Sequence, residues 1–464
     1  MNSSESNTST DSTAPLREIE FVETDALLRD DVRRLGAMVG QMLAEQQSPA
    51  FLDEVESVRR MAIARRENDE PVDALAARLA GVALGDADAL VRAFAAYFGA
   101  TNLAERVHRI RRRRDHQRSD DAPQPGGLEA VLHELREAGV GFDELVDFLP
   151  RLSVEPVFTA HPTEIVRRAL LDKERTIVER LIADIDRGRT PPERRSDEER
   201  IRLALTSTWQ TSDAPSQKPS VQDEVDHVGF YLAHVLYRTL PVFYEVFADA
   251  IEAVYGQRIT VPKVLRFGTW VGGDMDGNPY VGADTMRAAL DAQRELALAQ
   301  YRADLRALGA LLTQSLDQVG IDDDVLARIQ AHAAQWPEVM AAIKPRRADM
   351  PYRVLLGLMQ ARLAATAMPA VVDGSGDAPA RDERGYATVD DFIADLEAID
   401  ASLAHHRGDH AGRFAVQRVL RRARGFGFHL AALDLRQDSA VHEEVLATLL
   451  DDPDWATRPA DAQV

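Results

Sequence analysis

The sequence predicts a mostly α-helical protein with a few short parallel strands, and two observations carry that reading. Apolar residues recur at alternating spacings of four and three over long stretches, as on the buried stripe of a helix. Three short β-branched or apolar runs, at 154–159, 264–271 and 428–435, interrupt that pattern. A turn and then helical sequence follow each run, which is the order of an α/β unit with parallel strands.

Residues 1–18 are rich in Ser, Thr and Asn and read as a disordered N-terminal tail. A helical region follows over 19–152. Its first helix, about 24–47, puts Leu28, Val32, Leu35, Val39 and Met42 on one stripe. Further helices are predicted at about 50–67, 71–82 and 86–118. The last of these carries Arg109 and Arg111–Arg114. With a net charge of −21, these arginines fit a solvated face paired to carboxylates better than a nucleic-acid patch. Ser119–Gly127 is a linker by composition.

From 153 to 464 the strands appear, separated by inserted helices. Val154–Thr159 runs into His161 and Pro162, Thr163 is a good N-cap, and a helix is expected over Glu164–Gly188. Thr190–Arg195 reads as a loop, with a helix from Asp197 to Trp209. Two helices, about 222–239 and 241–256, meet at Pro241, placed as the first residue of the second. After the strand at 264–271 and a turn-rich loop over Gly272–Pro279, one long helix is predicted over Ala283–Val319. Helices at about 322–343, 350–367, 388–407 and 411–424 lead to the strand at 428–435 and a helix from Ser439. Between them, Pro369–Tyr386 has the composition of a flexible loop. The sequence stops at Val464 where a further helix begins, so a larger protein is expected.

Composition narrows the function. A chain of 464 residues can bury a large core, and its hydrophobic and charged fractions are those of a soluble globular protein. No run of about 18 apolar residues is present, and the N-terminus lacks the pattern of a secretory signal, so neither a membrane nor export is expected. The absence of cysteine excludes disulfides and thiolate chemistry and fits the cytoplasm. The acidic balance argues against nucleic acid as a partner and requires a local basic pocket for any anionic substrate. Lysine is confined to Lys173, Lys218, Lys263 and Lys344, so arginine carries nearly all the positive charge.

Three stretches carry chemistry. In SVEPVFTAHPTEIVRRAL, His161 stands at the carboxyl end of a strand, on a stiff turn beside a helix N-terminus. Arg167 and Arg168 follow within about a helical turn. Phosphate and carboxylate sites are built this way; the alternative is a buried histidine that happens to follow a strand. In RFGTWVGGDMDGNPYV, Asp274 and Asp276 alternate before Gly277, but the glycine comes too early and the twelfth position lacks Glu, so an EF-hand is ruled out. What remains is a glycine-permitted close approach at Gly272 and Gly273 beside an aromatic wall at Trp270. In LAALDLRQDSAVHEEVL, Arg436 ends a strand and suits bidentate capture of an anion, or else a salt bridge to Asp434, Asp438 or Glu444.

Taken together and in this order, the three stretches resemble phosphoenolpyruvate carboxylase. The resemblance runs from about Leu27 to the C-terminus and covers the N-terminal half of a family chain roughly twice as long. It implies a (β/α)8 barrel of the TIM type with many extra helices, of which 153–464 is the first part. It also implies carboxylation of phosphoenolpyruvate by bicarbonate to oxaloacetate and phosphate, in a cytoplasmic homotetramer that uses Mg2+. By the resemblance His161 is the catalytic base, while Arg436, Trp270, Arg167 and Arg168 bind substrate. Gly272, Gly273, Asp274 and Asp276 form a site loop. No metal ligand is assigned in this segment; those are expected in the C-terminal half. Two departures stand out. Met275 occupies the place of an arginine, so either one positive charge is missing or the anion is bound otherwise. The segment around 212–218 lacks the acidic pair and the arginine of the family pattern. Two other readings stay open: a phosphotransferase in which His161 accepts the phosphoryl group, and a non-enzymatic half that pairs with a C-terminal partner.

Overall fold

The computed structural model describes residues 25–119, 123–159, 167–185, 188–212, 219–344, 348–367, 382–455 and 458. Helices dominate. The first four are α1 (Ala26–Gln46), α2 (Pro49–Glu67), α3 (Asp73–Ala80) and α4 (Leu84–Arg118), each within two residues of the span expected from the sequence. Next come α5 (Leu128–Glu137), α6 (Phe142–Phe148), the strand β1 (Val157–Phe158), α7 (Arg168–Ala183) and α8 (Pro191–Trp209). Then follow α9 (Val221–Tyr231), α10 (Tyr237–Tyr255), β2 (Gly268–Thr269), α11 (Ala283–Leu311), α12 (Asp323–Gln335) and α13 (Pro337–Ala342). The series closes with α14 (Pro351–Ala367), α15 (Val389–His405), α16 (Phe414–Phe426), β3 (Ala432–Leu433) and α17 (Ser439–Leu449).

Several boundaries differ from the sequence expectation, each for a local reason. Arg167 is extended, with ψ 131°, so the described helix starts at Arg168; Thr163 and Glu164 lie outside the described residues. Helix α8 starts at Pro191, inside the stretch read as a loop, because Thr190 and Glu193 form a reciprocal capping box with a proline at the first helical position. Helix α11 ends at Leu311 although its apolar pattern continues. The backbone amide of Leu316 donates instead to the Asp349 carbonyl, at 3.0 Å. Pro337 splits the helix expected over 322–343.

Pro241 does not begin a helix. It sits inside α10, and a wide π turn at Leu232–Leu236 joins α9 to α10 in one run. A proline there leaves the carbonyl four residues back, that of Tyr237, without its helical donor. Nε of Arg422, on α16, donates to that carbonyl at 3.0 Å. The same arginine pairs with Asp304 at 2.8 Å, and Asp304 also accepts from the Tyr237 hydroxyl.

The chain divides into two compact units, one of 1–122 with 166–216 and the other of 123–165 with 217–464. In the first, Leu35, Val39, Ala104, Val107, Leu181 and Ile201 form the core. The basic face of α4 is largely paired there: Arg111 with buried Asp31, Arg112 with Asp25 and Arg109 with Glu105. In the second, a core built on Leu298, Tyr301, Leu355 and Phe392 supports a parallel sheet in the order β1-β2-β3. The strands are shorter than predicted. Pro156 has no amide to donate, so the β1–β2 ladder breaks into a bridge at Val154–Leu265 and a two-residue pairing at Val157 and Phe158. Among the described residues no helix is long and apolar enough to cross a membrane.

One polar cluster sits within the second core. Asp395 is 1% exposed and accepts from Arg328, His332, Arg362 and the Tyr386 hydroxyl at 2.7–3.3 Å. Burial by itself pushes its carboxyl up, but the bonds and charge of His332, with bonds from Tyr386 and Arg328, outweigh it and hold the group below its ordinary value. A carboxyl lowered by folding contributes stability above its unfolded pKa and loses it as pH falls through the folded value. Asp395→Asn keeps one acceptor oxygen but removes the charge, so it should cost about 1–3 kcal/mol at pH 7. In urea unfolding, the difference from wild type should shrink once the pH drops below about 4.

Candidate functional site

The three strands point the same way, so the residues that follow them gather at one end of the sheet. Trp270 follows β2 directly, and its backbone amide donates to the Phe158 carbonyl at 2.8 Å. Asp434 follows β3, and its amide donates to the Thr269 carbonyl at 2.9 Å. Beyond the strands the chain keeps a parallel pairing. The Arg436 amide donates to the Gly273 carbonyl at 3.0 Å, and the Met275 amide donates to the Arg436 carbonyl at 2.8 Å. The loop after β2 and the segment after β3 are thereby locked side by side.

Two glycines make that approach possible. Gly272 has φ +89°, and a Cβ there would fall 2.6 Å from the Ala289 side chain. A Cβ on Gly273 would lie 2.3 Å from the Asp434 carbonyl oxygen, which no side chain can occupy. Backbone contact at this point fixes Asp274 beside Arg436.

The side chains then form a short relay. The Arg436 guanidinium stacks 3.9 Å above the Trp270 ring and donates to Asp274 Oδ2 at 3.2 Å. Trp270 Nε1 donates to Asp434 Oδ2 at 3.2 Å, so Asp434 fixes the ring on which the arginine rests. Arg436 keeps 41% of its side chain exposed. The other oxygen of Asp274, Oδ1, is buried and has no hydrogen-bond partner among the described residues. An exposed guanidinium held flat by a ring and a carboxylate can receive a carboxylate or phosphate on its open side.

Of the site residues expected from sequence, the structure brings together Trp270, Gly272, Gly273, Asp274 and Arg436. Arg436 makes its salt bridge with Asp274, not with Asp434, Asp438 or Glu444. Asp276 is exposed in the turn beyond, and Met275 is half-buried beside it. His161 lies outside the described residues. Arg167 and Arg168 open α7, in the other compact unit. The positioning role of Asp434 was not anticipated, although the period of two along Asp434-Leu435-Arg436 places it on the face of Arg436.

Comparison with known proteins adds an independent finding. A sequence profile of the family described as phosphoenolpyruvate carboxylase matches residues 28–458. The chain is 52% identical over 441 residues to the phosphoenolpyruvate carboxylase of Xanthomonas oryzae pv. oryzae (strain MAFF 311018), covering 95% of this chain and 48% of the relative. The protein of the same name from Rhodopseudomonas palustris (strain HaA2) is 35% identical over 446 residues, with 95% and 46% covered. The chain thus spans about half the length of the curated relatives it matches.

Proposed function

Because the chain belongs to the phosphoenolpyruvate carboxylase family, we propose that it supplies one half of a site that carboxylates phosphoenolpyruvate with bicarbonate. The observation that carries this reading is Arg436, presented open-sided at the end of the parallel sheet by Trp270 and Asp274. In the proposed reaction a bicarbonate oxygen attacks phosphorus and the bond from phosphorus to the enol oxygen breaks, giving carboxyphosphate and the enolate of pyruvate. A base takes the carboxyphosphate proton, the C–O bond to phosphate breaks, and carbon dioxide is released in place with phosphate. The enolate carbon then attacks that carbon dioxide to form oxaloacetate. Arg436 holds an anionic group of the substrate, Trp270 keeps the guanidinium in plane, and the loop of Gly272, Gly273, Asp274 and Asp276 walls the site. His161 is the proposed base, since an imidazole is the side chain suited to taking up a proton near neutral pH. Arg167 and Arg168 are proposed to add positive charge.

Magnesium, which this chemistry implies, prefers several oxygen donors in octahedral array. Near Arg436 the described residues offer one unsatisfied carboxylate oxygen, on Asp274, whose partner oxygen is already bound to an arginine. That set does not fit the ion, and no step is assigned to a metal held there; its ligands are proposed to come from the C-terminal half of the family chain. The three parallel strands would open a (β/α)8 barrel. Exposed apolar residues support further sequence packing on this unit: Val154 and Val157 at the β1 edge, and Val441, Val445 and Leu449 on α17. A cytoplasmic homotetramer belongs to the same reading.

The test is product analysis on a continuous chain of the relatives' length. Oxaloacetate should form only when both phosphoenolpyruvate and bicarbonate are present, and residues 1–464 alone should form none. Acid-labile phosphate on His161 with no dependence on bicarbonate would replace this reading with phosphotransfer.

A further inference from the structure

A second group of side chains lies in the helical part of the larger compact unit and takes no part in the chemistry above. Asp322 stands just before α12, while His405 ends α15 and His406 follows it. Asp322 Oδ1 lies 2.7 Å from His405 Nδ1 and 3.0 Å from His406 Nε2, and the three donor atoms are all within 4.8 Å of one another. The imidazoles stack at 4.6 Å between centroids.

Four features indicate that this arrangement is built for more than a helix cap. An aspartate at an N-cap ordinarily accepts from the first free amides of its helix. Asp322 makes no such bond and turns its carboxylate to the two imidazoles. Its backbone is held in place, since its amide donates to Ser402 Oγ at 3.0 Å and Ser402 is bonded in turn to the Tyr352 hydroxyl. Room for His406 is provided by Gly320, where a Cβ would fall 2.5 Å from the ring. His406 also lines a cavity of about 320 Å³ with Gln314, whose buried Oε1 has no partner among the described residues.

We propose that Asp322, His405 and His406 form a binding site for a divalent transition metal of the zinc class. Two imidazole nitrogens and a carboxylate oxygen are a donor set that suits zinc and cobalt and that magnesium and calcium avoid. Bond lengths of about 2.0–2.2 Å in a tetrahedral site place neighbouring donors about 3.3–3.6 Å apart, so binding would move the imidazoles slightly off Asp322 Oδ1, from 2.7 and 3.0 Å, and bring the two ring nitrogens, now within 4.8 Å, onto one ion. Exposed His405 leaves the fourth position to solvent. The metal would tie the start of α12 to the end of α15, residues 83 positions apart, and so restrain the helices between them.

Cobalt serves as the probe, on tag-free full chain stripped with a chelator. One equivalent of Co2+ should develop the visible d–d absorption of a low-coordinate nitrogen and oxygen site, zinc should displace it, and excess magnesium should not. Asp322→Asn and His406→Gln should each weaken cobalt binding by more than the roughly 10–100-fold that loss of an outer-sphere partner costs. His405→Gln changes an exposed side chain and should fold normally, melting at the wild-type temperature without metal while losing the zinc-dependent rise in Tm. His410→Gln, exposed and outside the cluster, should leave both signals intact. Absence of the band in wild type, or a band unchanged in His405→Gln, overturns the proposal, as does equal loss in His410→Gln.

Discussion

Asparagine at position 161, in a continuous chain of the relatives' length, should leave phosphate release from phosphoenolpyruvate partly intact while oxaloacetate falls about 10²–10⁴-fold. Asparagine keeps a polar group of similar reach but cannot take up a proton. Phosphoryl transfer to bicarbonate depends on neutralising spread negative charge, a task for arginines and metal rather than for a base. The later step needs a proton removed from carboxyphosphate, so the loss should fall on carbon–carbon bond formation. Phosphate and oxaloacetate are measured in the same assay with bicarbonate present. If both fall by one factor, His161 acts before or during phosphoryl transfer, and its assignment as the second-step base is wrong.

Arg436→Ala should cost nearly as much, through binding. Truncating one member of a hydrogen-bonded charge pair typically costs 2–5 kcal/mol, or roughly 30- to several-thousand-fold in kcat/KM. Most of this should be seen as a raised KM for phosphoenolpyruvate. Arg436→Lys should recover little of it, since an ammonium neither stacks flat on Trp270 nor reaches an anion and Asp274 Oδ2 in one plane. Tryptophan fluorescence checks the geometry independently: removing the guanidinium from its place 3.9 Å above the Trp270 ring should change the emission even without substrate. A variant with normal KM would show that Arg436 serves only to neutralise Asp274.

Much of this was legible in the chain because helices advertise themselves locally. The stripe of Leu35, Val39 and Met42 is both visible in the sequence and buried in the structure. The loop glycines were also legible, since only close backbone approach explains such a pair beside Trp270. Long-range partners were not. Sequence proximity offered Asp434, Asp438 or Glu444 to Arg436, whereas its partner is 162 positions away and is brought near by strand pairing. Pro241 looked like a helix start because the arginine that replaces its missing hydrogen bond lies on α16. The same limit hid the Asp322 cluster: a lone histidine pair carries no ligand spacing until the fold adds the carboxylate.

That substituted hydrogen bond bears on the order of events during synthesis. Helix α10 cannot satisfy its own Tyr237 carbonyl, and the donor arrives 185 positions later. At about 5–20 residues per second, a ribosome delivers it roughly ten to forty seconds after the helix has emerged. Through that interval the first turn of α10 holds an open acceptor where α16 will pack, so the hydrogen bond that completes that turn is supplied late and from a distance. The helix is local in sequence but non-local in its completion, and the unit that contains it gains cooperativity at the expense of folding speed.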